Sequence, residues 1–342
     1  YMRYFIVFLI LNFYSTLALG LNIEAERNYG AIKTIPDLQI LSSTDIEVFD
    51  PVLKAFSKTS PNLNIRYVVA STKDIFETVK SESHNFDLIM SSAMDLQMKL
   101  ANDGFAKSLP ILKNMGSPVW SRWQDKLFGF SLEPIGIVVS SKYPLMSEIP
   151  IERRAFVSFL RANSDLLRGK VVTYDITISG AGFLFATQDE RQSHSFWRMA
   201  EVLGGLRTQV YCCSGDMLDA IENGEALIAY NIIGSYAEKR AKENNNFKII
   251  YLQDYTHMLM RTALMPNSSE NLEEAKNFLR FLLSDVGQNF IEHSTDMLSL
   301  KSEFLPNNRH FRPIRLDTGL LVYLDKLKKE RFLEDWREAI IQ

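Results

Sequence analysis

The chain has 342 residues, of which 46% are hydrophobic and 23% are charged, and its net charge at neutral pH is −3. That length is enough for two domains with a core each, and so weak an acidity gives no reason to expect nucleic-acid or anionic-membrane binding. The two cysteines, Cys212 and Cys213, are adjacent, which excludes the spaced disulfide framework of a small secreted scaffold. We expect this pair to be two small residues at a strand end rather than a strained vicinal disulfide.

The first twenty residues predict a secretory signal. Arg3 precedes an apolar run over residues 4–11, and the small residues of 18–20 follow. The run is well short of the ~20 apolar residues that span a bilayer. A buried core helix or a membrane anchor is the alternative interpretation. We expect cleavage after residue 20, a mature chain beginning near Leu21, and a periplasmic location.

Strands and helices alternate from residue 38, which is typical of parallel strands joined by helical crossovers. The apolar runs predict strands at 38–41, 64–69 and 86–90, and the change to a helical period predicts helices from 45, 71 and 94. The first strand ends in Ser42-Ser43-Thr44, where a helix needs its N-cap, and Asp74 follows Ser71 by three residues, as in a capping box.

Two long apolar segments, 127–141 and 255–265, predict the crossings between two lobes. Between them the same rhythm continues, with strands predicted at 170–175, 206–211, 225–231 and 247–252 and helices from 183 and at 193–203, 214–222 and 234–243. Amphipathic helices are expected at 269–283, 285–292 and 318–339. The sequence therefore predicts an α/β fold with two lobes, each a mostly parallel sheet flanked by helices. Lobe 1 would comprise 21–135 and 263–342, and lobe 2 would comprise 136–262.

Small hydroxyl residues or glycines stand at five predicted strand-to-helix junctions, 42–44, 91–92, 179–182, 214–215 and 231–235. Such junctions lie at the carboxyl edge of a parallel sheet and expose unpaired N–H groups at the positive end of a helix dipole. Each alone is an ordinary cap, but five of them divided between two lobes predict a cleft for an anion.

Signatures of catalysis and of metal binding are absent from the sequence. It has no Gly-x-Ser-x-Gly, no Gly-x-x-x-x-Gly-Lys, no Gly-x-Gly-x-x-Gly after a strand and no His-Glu-x-x-His. The five histidines never fall three or four residues apart, so none forms a helical metal pair. We expect a protein that is not an enzyme and has no cofactor and no metal site.

Several side chains on or near the crossings have two possible roles. His257 either faces the cleft or is an interior or surface histidine. Trp120 and Trp123 either stack on a ligand ring or pack the lobes together. Glu133 stands in an apolar segment, where a lone carboxylate is costly. It either pairs with a cation such as Arg261 or accepts hydrogen bonds from a ligand.

Four segments together resemble the extracellular solute-binding proteins of bacterial ABC importers, in the branch of ferric-iron, thiamine, hexose-phosphate and phosphoglycerate receptors. These are Leu41-Ser42-Ser43-Thr44-Asp45, residues 91–100, Thr173-Tyr174-Asp175 with Ser179-Gly180-Ala181-Gly182-Phe183, and residues 229–236. The resemblance implies a type II periplasmic binding fold with two hinge crossings, which closes on a solute and docks on a membrane permease.

Ferric receptors of this branch carry adjacent tyrosines after the asparagine that corresponds to Asn231. Here Ile232 and Ile233 follow, and Tyr236 comes later and alone. A ferric ion needs phenolate or carboxylate oxygens, so the departure favours an organic solute. The leading expectation for the ligand is a small organic anion, preferably a phosphorylated one. Thiamine or its phosphates are one alternative ligand, and ferric iron is another.

The expected ligand-binding residues have two roles. Hydrogen-bond donors to the anion would be Ser43, Thr44, Ser92, Ser179, Gly180 and Asn231. Residues that shape specificity would be Glu133, Tyr174, Asp175 and Tyr255. The protein would be a monomer whose partners are an anionic small molecule and an ABC-importer permease. The other alternative is an input module that reports a solute to a membrane sensor kinase.

Overall fold

The first half of the chain builds a sheet of parallel strands with an antiparallel edge. A computed structural model describes residues 21–110, 112, 115–143, 146–244 and 246–340. The elements of the first half are β1 (Ala25–Gly30), β2 (Leu38–Ser42), α1 (Ile46–Thr59), β3 (Asn64–Val69), α2 (Thr72–Ser81), β4 (Leu88–Ser91) and α3 (Met94–Asn102). β2 lies parallel between β3 and β4, and β1 pairs antiparallel with β3. The expected strand and helix alternation is thus present.

A second sheet region follows after a long connecting strand. Its elements, with the strands that lead into and out of it, are β5 (Arg122–Trp123), β6 (Leu127–Ser140), α4 (Arg153–Ala162), α5 (Ser164–Leu167), β7 (Val171–Tyr174), α6 (Gly180–Gln192), α7 (Phe196–Gly205), β8 (Gln209–Tyr211), α8 (Ser214–Glu222), β9 (Ile228–Ile233), α9 (Gly234–Glu243), β10 (Phe247–Ile250) and β11 (Thr256–Leu264). β7 lies parallel to both β8 and β9.

The strand β6 belongs to both sheet regions. Residues 128–134 pair with β11, whereas residues 135–140 pair with β9 and β10. β11 in turn pairs with β4 of the first half. All fourteen residues of β6 are buried. This apolar strand therefore connects the two halves and is part of the sheet of each.

The C-terminal elements divide between the halves. They are α10 (Leu272–Leu283), α11 (Asp285–Ser294), α12 (Phe304–Asn307), β12 (Phe311–Pro313), a 3-10 segment (Thr318–Leu324) and α13 (Lys326–Ile340). α10 and α11, which the sequence analysis assigns to lobe 1, share the first-half core. α13 differs from that expectation, because Phe332, Trp336 and Ile340 pack into the core of the second half. An apolar stripe at i, i+4, i+8 requires an apolar partner but does not specify which lobe supplies it.

No helix in the described part of the chain combines the length and the hydrophobicity needed to span a membrane. The predicted signal, residues 1–20, lies outside the described residues.

Candidate functional site

A cavity of about 500 Å³ opens between the two halves. We call it the interdomain cavity. Its polar and charged lining residues are Glu24, Ser43, Asp45, Ser71, Thr72 and Ser92 from the first half and Tyr174, Ser179, Cys212, Cys213, Ser214, Asp216, Asp219, Tyr236 and Arg240 from the second. The volume lies within the range of small-molecule sites, which is roughly 300–1,000 Å³.

Three helix N-termini open onto the interdomain cavity. Ser71 caps α2 by accepting a hydrogen bond from the Asp74 N–H at 3.1 Å, and Ser179 caps α6 by accepting one from the Gly182 N–H at 3.1 Å. The third helix, α8, begins at the buried residue Ser214. Each terminus presents the positive end of a helix dipole. Those of α6 and α8 stand at two of the five junctions predicted from the sequence, 179–182 and 214–215, whereas that of α2, in the first half, is not among the five.

Four of the predicted ligand-binding residues line the interdomain cavity: Ser43, Ser92, Tyr174 and Ser179. The Oγ atoms of Ser43 and Ser92 are 3.2 Å apart, and the Ser92 N–H donates to Ser43 Oγ at 3.0 Å. The hydroxyls of Tyr174 and Ser214 are 2.5 Å apart. These contacts fix the hydroxyl groups in place before any solute arrives.

Gly180, in the second half, contacts the first half directly. Its N–H donates to Thr72 Oγ1 at 3.0 Å, and a Cβ at this position would lie 2.6 Å from the same oxygen. Glycine therefore lets the start of α6 approach the first half closely. The residue stands beside the cavity rather than in its lining.

Glu133 and Thr44 lie in a buried cluster away from the cavity lining. Arg261 donates from Nε to Glu133 Oε1 at 2.5 Å and from Nη2 to Oε2 at 3.1 Å. It also donates to Thr44 Oγ1, and Ser235 Oγ donates to Glu133. Of the two readings of Glu133, pairing with Arg261 is therefore the one that occurs, because a carboxylate with no exposed surface requires a compensating cation.

Asp175, Asn231 and Tyr255 were also expected at the cleft, and none of them lines the interdomain cavity. Asp175 Oδ1 accepts hydrogen bonds from Thr177 N–H and Oγ1. Asn231, at φ +68°, and Tyr255 turn to the buried carboxylate of Asp189, with Tyr255 OH 3.1 Å from Oδ1. A buried carboxylate requires hydrogen-bond donors around it. Asn231 and Tyr255 therefore bond Asp189 inside the second half and do not face the cavity.

The carboxylate of Asp189 also accounts for the interior position of His257. His257 Nε2 lies 3.2 Å from Asp189 Oδ1, and Arg153 lies on the other side of the same carboxylate. Burial alone would raise the pKa of Asp189, but Arg153 and the bonds from His257 and Asn231 outweigh it and hold the pKa well below its usual value. His257 is thus an interior histidine.

The sequence analysis missed the acidic character of the interdomain cavity. Glu24, Asp45, Asp216 and Asp219 line it, while its only lysine or arginine among the described lining residues is Arg240. Arg240 pairs with Asp219 and, at 3.1 Å, with Glu222. Burial, followed by repulsion from Asp45, Asp74 and Asp216, raises the pKa of Glu24. The signals in the sequence were Asp45 and Asp216, each directly after a predicted junction.

Residues 38–294 match the family of bacterial extracellular solute-binding proteins. The chain belongs to this family. Members of the family are solute-binding proteins, and this chain is a solute-binding receptor of an ABC transporter. Among curated proteins, none matches the sequence.

Solved structures of solute-binding proteins share the fold. The substrate-binding protein of an ABC transporter from Agrobacterium tumefaciens has 29% identity and a TM-score of 0.87, over 94% of this chain and 99% of that one. Iron-bound HitA from Pseudomonas aeruginosa has 18% identity and a TM-score of 0.65, over 88% and 98% of the two chains. AfuA from Actinobacillus pleuropneumoniae, with fructose-6-phosphate bound, has 14% identity and a TM-score of 0.68, over 89% and 98%. The last two support the two-lobed fold alone.

Proposed function

We propose that this solute-binding protein works in the periplasm as a monomer that catalyses no reaction. It delivers a small zwitterionic solute to an ABC-importer permease. The solute would carry an anionic group, a phosphate or carboxylate, and a cationic group. One observation carries the proposal: three helix N-termini and four carboxylates line the same cavity of about 500 Å³.

The helix N-termini account for the anionic group. Each dipole contributes about 0.3–2 kcal/mol to an anion, whereas micromolar affinity needs ~8 kcal/mol. Hydrogen bonds to a charged ligand add roughly 1.5–3 kcal/mol each. Donors from both halves are therefore needed, which favours closure of the halves around the solute.

The carboxylates change the sequence-based expectation of a plain anion. Arg240 balances one of the four, so the cavity lining keeps a surplus of negative charge. A solute with only negative charge would be repelled by Glu24, Asp45 and Asp216. A cationic group on the same molecule removes that penalty.

Native mass spectrometry of protein purified from its own cells tests the proposal. We expect a retained small molecule whose fragments contain both an acidic phosphate or carboxylate and a basic nitrogen. A retained molecule that lacks either group contradicts the zwitterion assignment.

Thermal unfolding with three probes gives a matched comparison. Thiamine monophosphate carries both charges, thiamine only the cation and glucose 6-phosphate only the anion. We expect the largest rise in melting temperature with thiamine monophosphate. A larger rise with glucose 6-phosphate would mean that the carboxylates do not select the solute.

Ferric iron is a second candidate because both Tyr174 and Tyr236 line the interdomain cavity with the carboxylates. Against it, burial raises the pKa of both phenols, which keeps them protonated. Colour decides this point, since iron held by phenolates is visibly coloured. Protein that stays colourless after treatment with ferric citrate rejects the candidate.

A further inference from the structure

A cluster of thiols and a carboxylate stands in the wall of the interdomain cavity. Cys212 and Cys213 follow β8 and are free and exposed, and Asp216 lies in the first turn of α8. Cys212 Sγ is 3.2 Å from Cys213 Sγ and 3.2 Å from Asp216 Oδ2. The three donor atoms all lie within 4.8 Å of one another.

We propose that Cys212, Cys213 and Asp216 bind a thiophilic divalent cation such as Zn²⁺, with Glu24 of the first half as a fourth ligand. Thiolate sulfur and carboxylate oxygen are donors that zinc accepts in tetrahedral sites, with Zn–S near roughly 2.3 Å. In a tetrahedron the two sulfurs would be roughly 3.8 Å apart. The present 3.2 Å therefore requires a small rotation of exposed side chains. This site goes beyond the sequence-based expectation of no metal.

The charges around the cluster favour a cation. Within the described residues, neither Glu24 nor Asp216 forms an ion pair, whereas Asp219 is held by Arg240. The two carboxylates thus carry like charges that no Lys or Arg side chain balances within the described residues, and a cation between them would remove their repulsion.

Glu24 and the thiols belong to opposite halves of the protein. Glu24 immediately precedes β1, and its N–H donates to Val69 at 2.9 Å in the first half. The cysteines follow β8 in the second. A cation bound by all four side chains would therefore connect the two rims of the cavity and favour the closed arrangement.

Binding releases two protons, because each thiol becomes a thiolate as the ion enters, and no electrons are transferred. We expect affinity to rise by up to about 100-fold for each pH unit while both thiols remain protonated in the free protein. Because two positive charges enter and two leave, the net charge that the solute meets is unchanged. The metal and the zwitterion proposals therefore stand or fall separately.

Calorimetric titration of reduced, solute-free protein with Zn²⁺ tests the site. We expect one ion per chain, at least a 100-fold loss of affinity in the double variant C212S/C213S, and a loss of about 10-fold or more in D216N and in E24Q. The matched charge control is E225Q, since Glu225 is exposed and lies outside the cavity lining. It should bind like the wild type.

Cobalt provides an independent spectroscopic readout. Co²⁺ in the reduced wild type should give a thiolate-to-cobalt charge-transfer band that is lost in C212S/C213S, while circular dichroism shows that the variant is folded. Absence of zinc binding in the wild type, or equal binding by the folded double variant, overturns the site. Unchanged affinity in E24Q overturns the connection between the halves.

Discussion

Arg261 and Glu133 form a buried ion pair between the two strands that cross from one half to the other. Arg261 stands on β11 and Glu133 on β6, and their side chains are 1% and 0% exposed. Thr44 at the start of α1 and Ser235 in α9 complete their hydrogen bonds. Each charge is thus satisfied by its partner, and either alone would be a buried charge without compensation.

Substitution E133Q should therefore destabilise the protein strongly. The neutral amide leaves Arg261 buried without a counter-charge, and we expect a loss of about 3–5 kcal/mol in the free energy of unfolding by urea. The control is K276Q, which breaks an exposed pair with Glu273 on α10 and should cost less than about 1 kcal/mol. An E133Q midpoint equal to that of K276Q would contradict the role given to the pair.

At the scale of elements, α3 shows burial overcoming a helix dipole. Asp95 lies in the first turn, where the dipole stabilises a carboxylate. The residue is only 2% exposed, and its Oδ1 lacks a hydrogen-bond partner in the described structure. Burial raises the pKa of Asp95 to about 7. The folded protein therefore holds a proton that the unfolded chain has released above pH 4.

The upward shift of the Asp95 pKa determines how the stability of the D95N variant, relative to wild type, changes with pH. A raised carboxyl pKa supplies stability that is complete below the unfolded value and is lost as the pH rises to about 7. The asparagine variant does not titrate, so its stability relative to wild type should increase between pH 4 and 7, by on the order of 4 kcal/mol. Urea unfolding across this range measures the difference. D285N, at an exposed first-turn aspartate of α11, is the control for removing a carboxylate from a helix N-terminus. A wild-type to D95N difference that is constant with pH would refute the shift.

Local patterns predicted most elements, and the exceptions have physical reasons. The cap at Ser71 and the start of α8 at Ser214 occur as expected. β1 was missed because only Tyr29 in it is buried, which leaves no apolar alternation. α4 was missed although its buried Phe156, Val157 and Leu160 have helical spacing. The helix expected over 318–339 is divided at Asp325 into a 3-10 segment and α13.

At the scale of the whole molecule, contact between the halves depends on a residue without a side chain. A Cβ at Gly180 would lie 2.6 Å from Thr72 Oγ1 and 3.1 Å from both Ala93 Cβ and Leu96 Cδ1. All three neighbours belong to the first half, whereas Gly180 begins α6 in the second. The arrangement of the halves in this structure therefore leaves no room for a methyl group here.

Substitution G180A should keep the halves further apart without unfolding either. We expect a larger radius of gyration by small-angle X-ray scattering, with an unchanged melting temperature, because alanine suits a helix. G205A is the matched control, since a Cβ at that helical glycine meets nothing within 4 Å. Scattering curves that coincide for G180A and G205A would show that the contact does not limit closure.

The sequence by itself determined the alternation of strands and helices, the positions of the caps and, through them, the two-lobed fold. These features arise from neighbours three or four residues apart, whose spacing is visible in the chain. Only the tertiary structure decided that Ser43, Ser92, Tyr174 and Ser179 share a cavity while Asn231 and Tyr255 turn to Asp189. It also brought Glu24 to the cavity that Asp216 lines and α13 onto the second half. Contacts between residues far apart in the chain, such as Ser43 with Ser92 and Asn231 with Asp189, depend on how the elements pack, which no local period records.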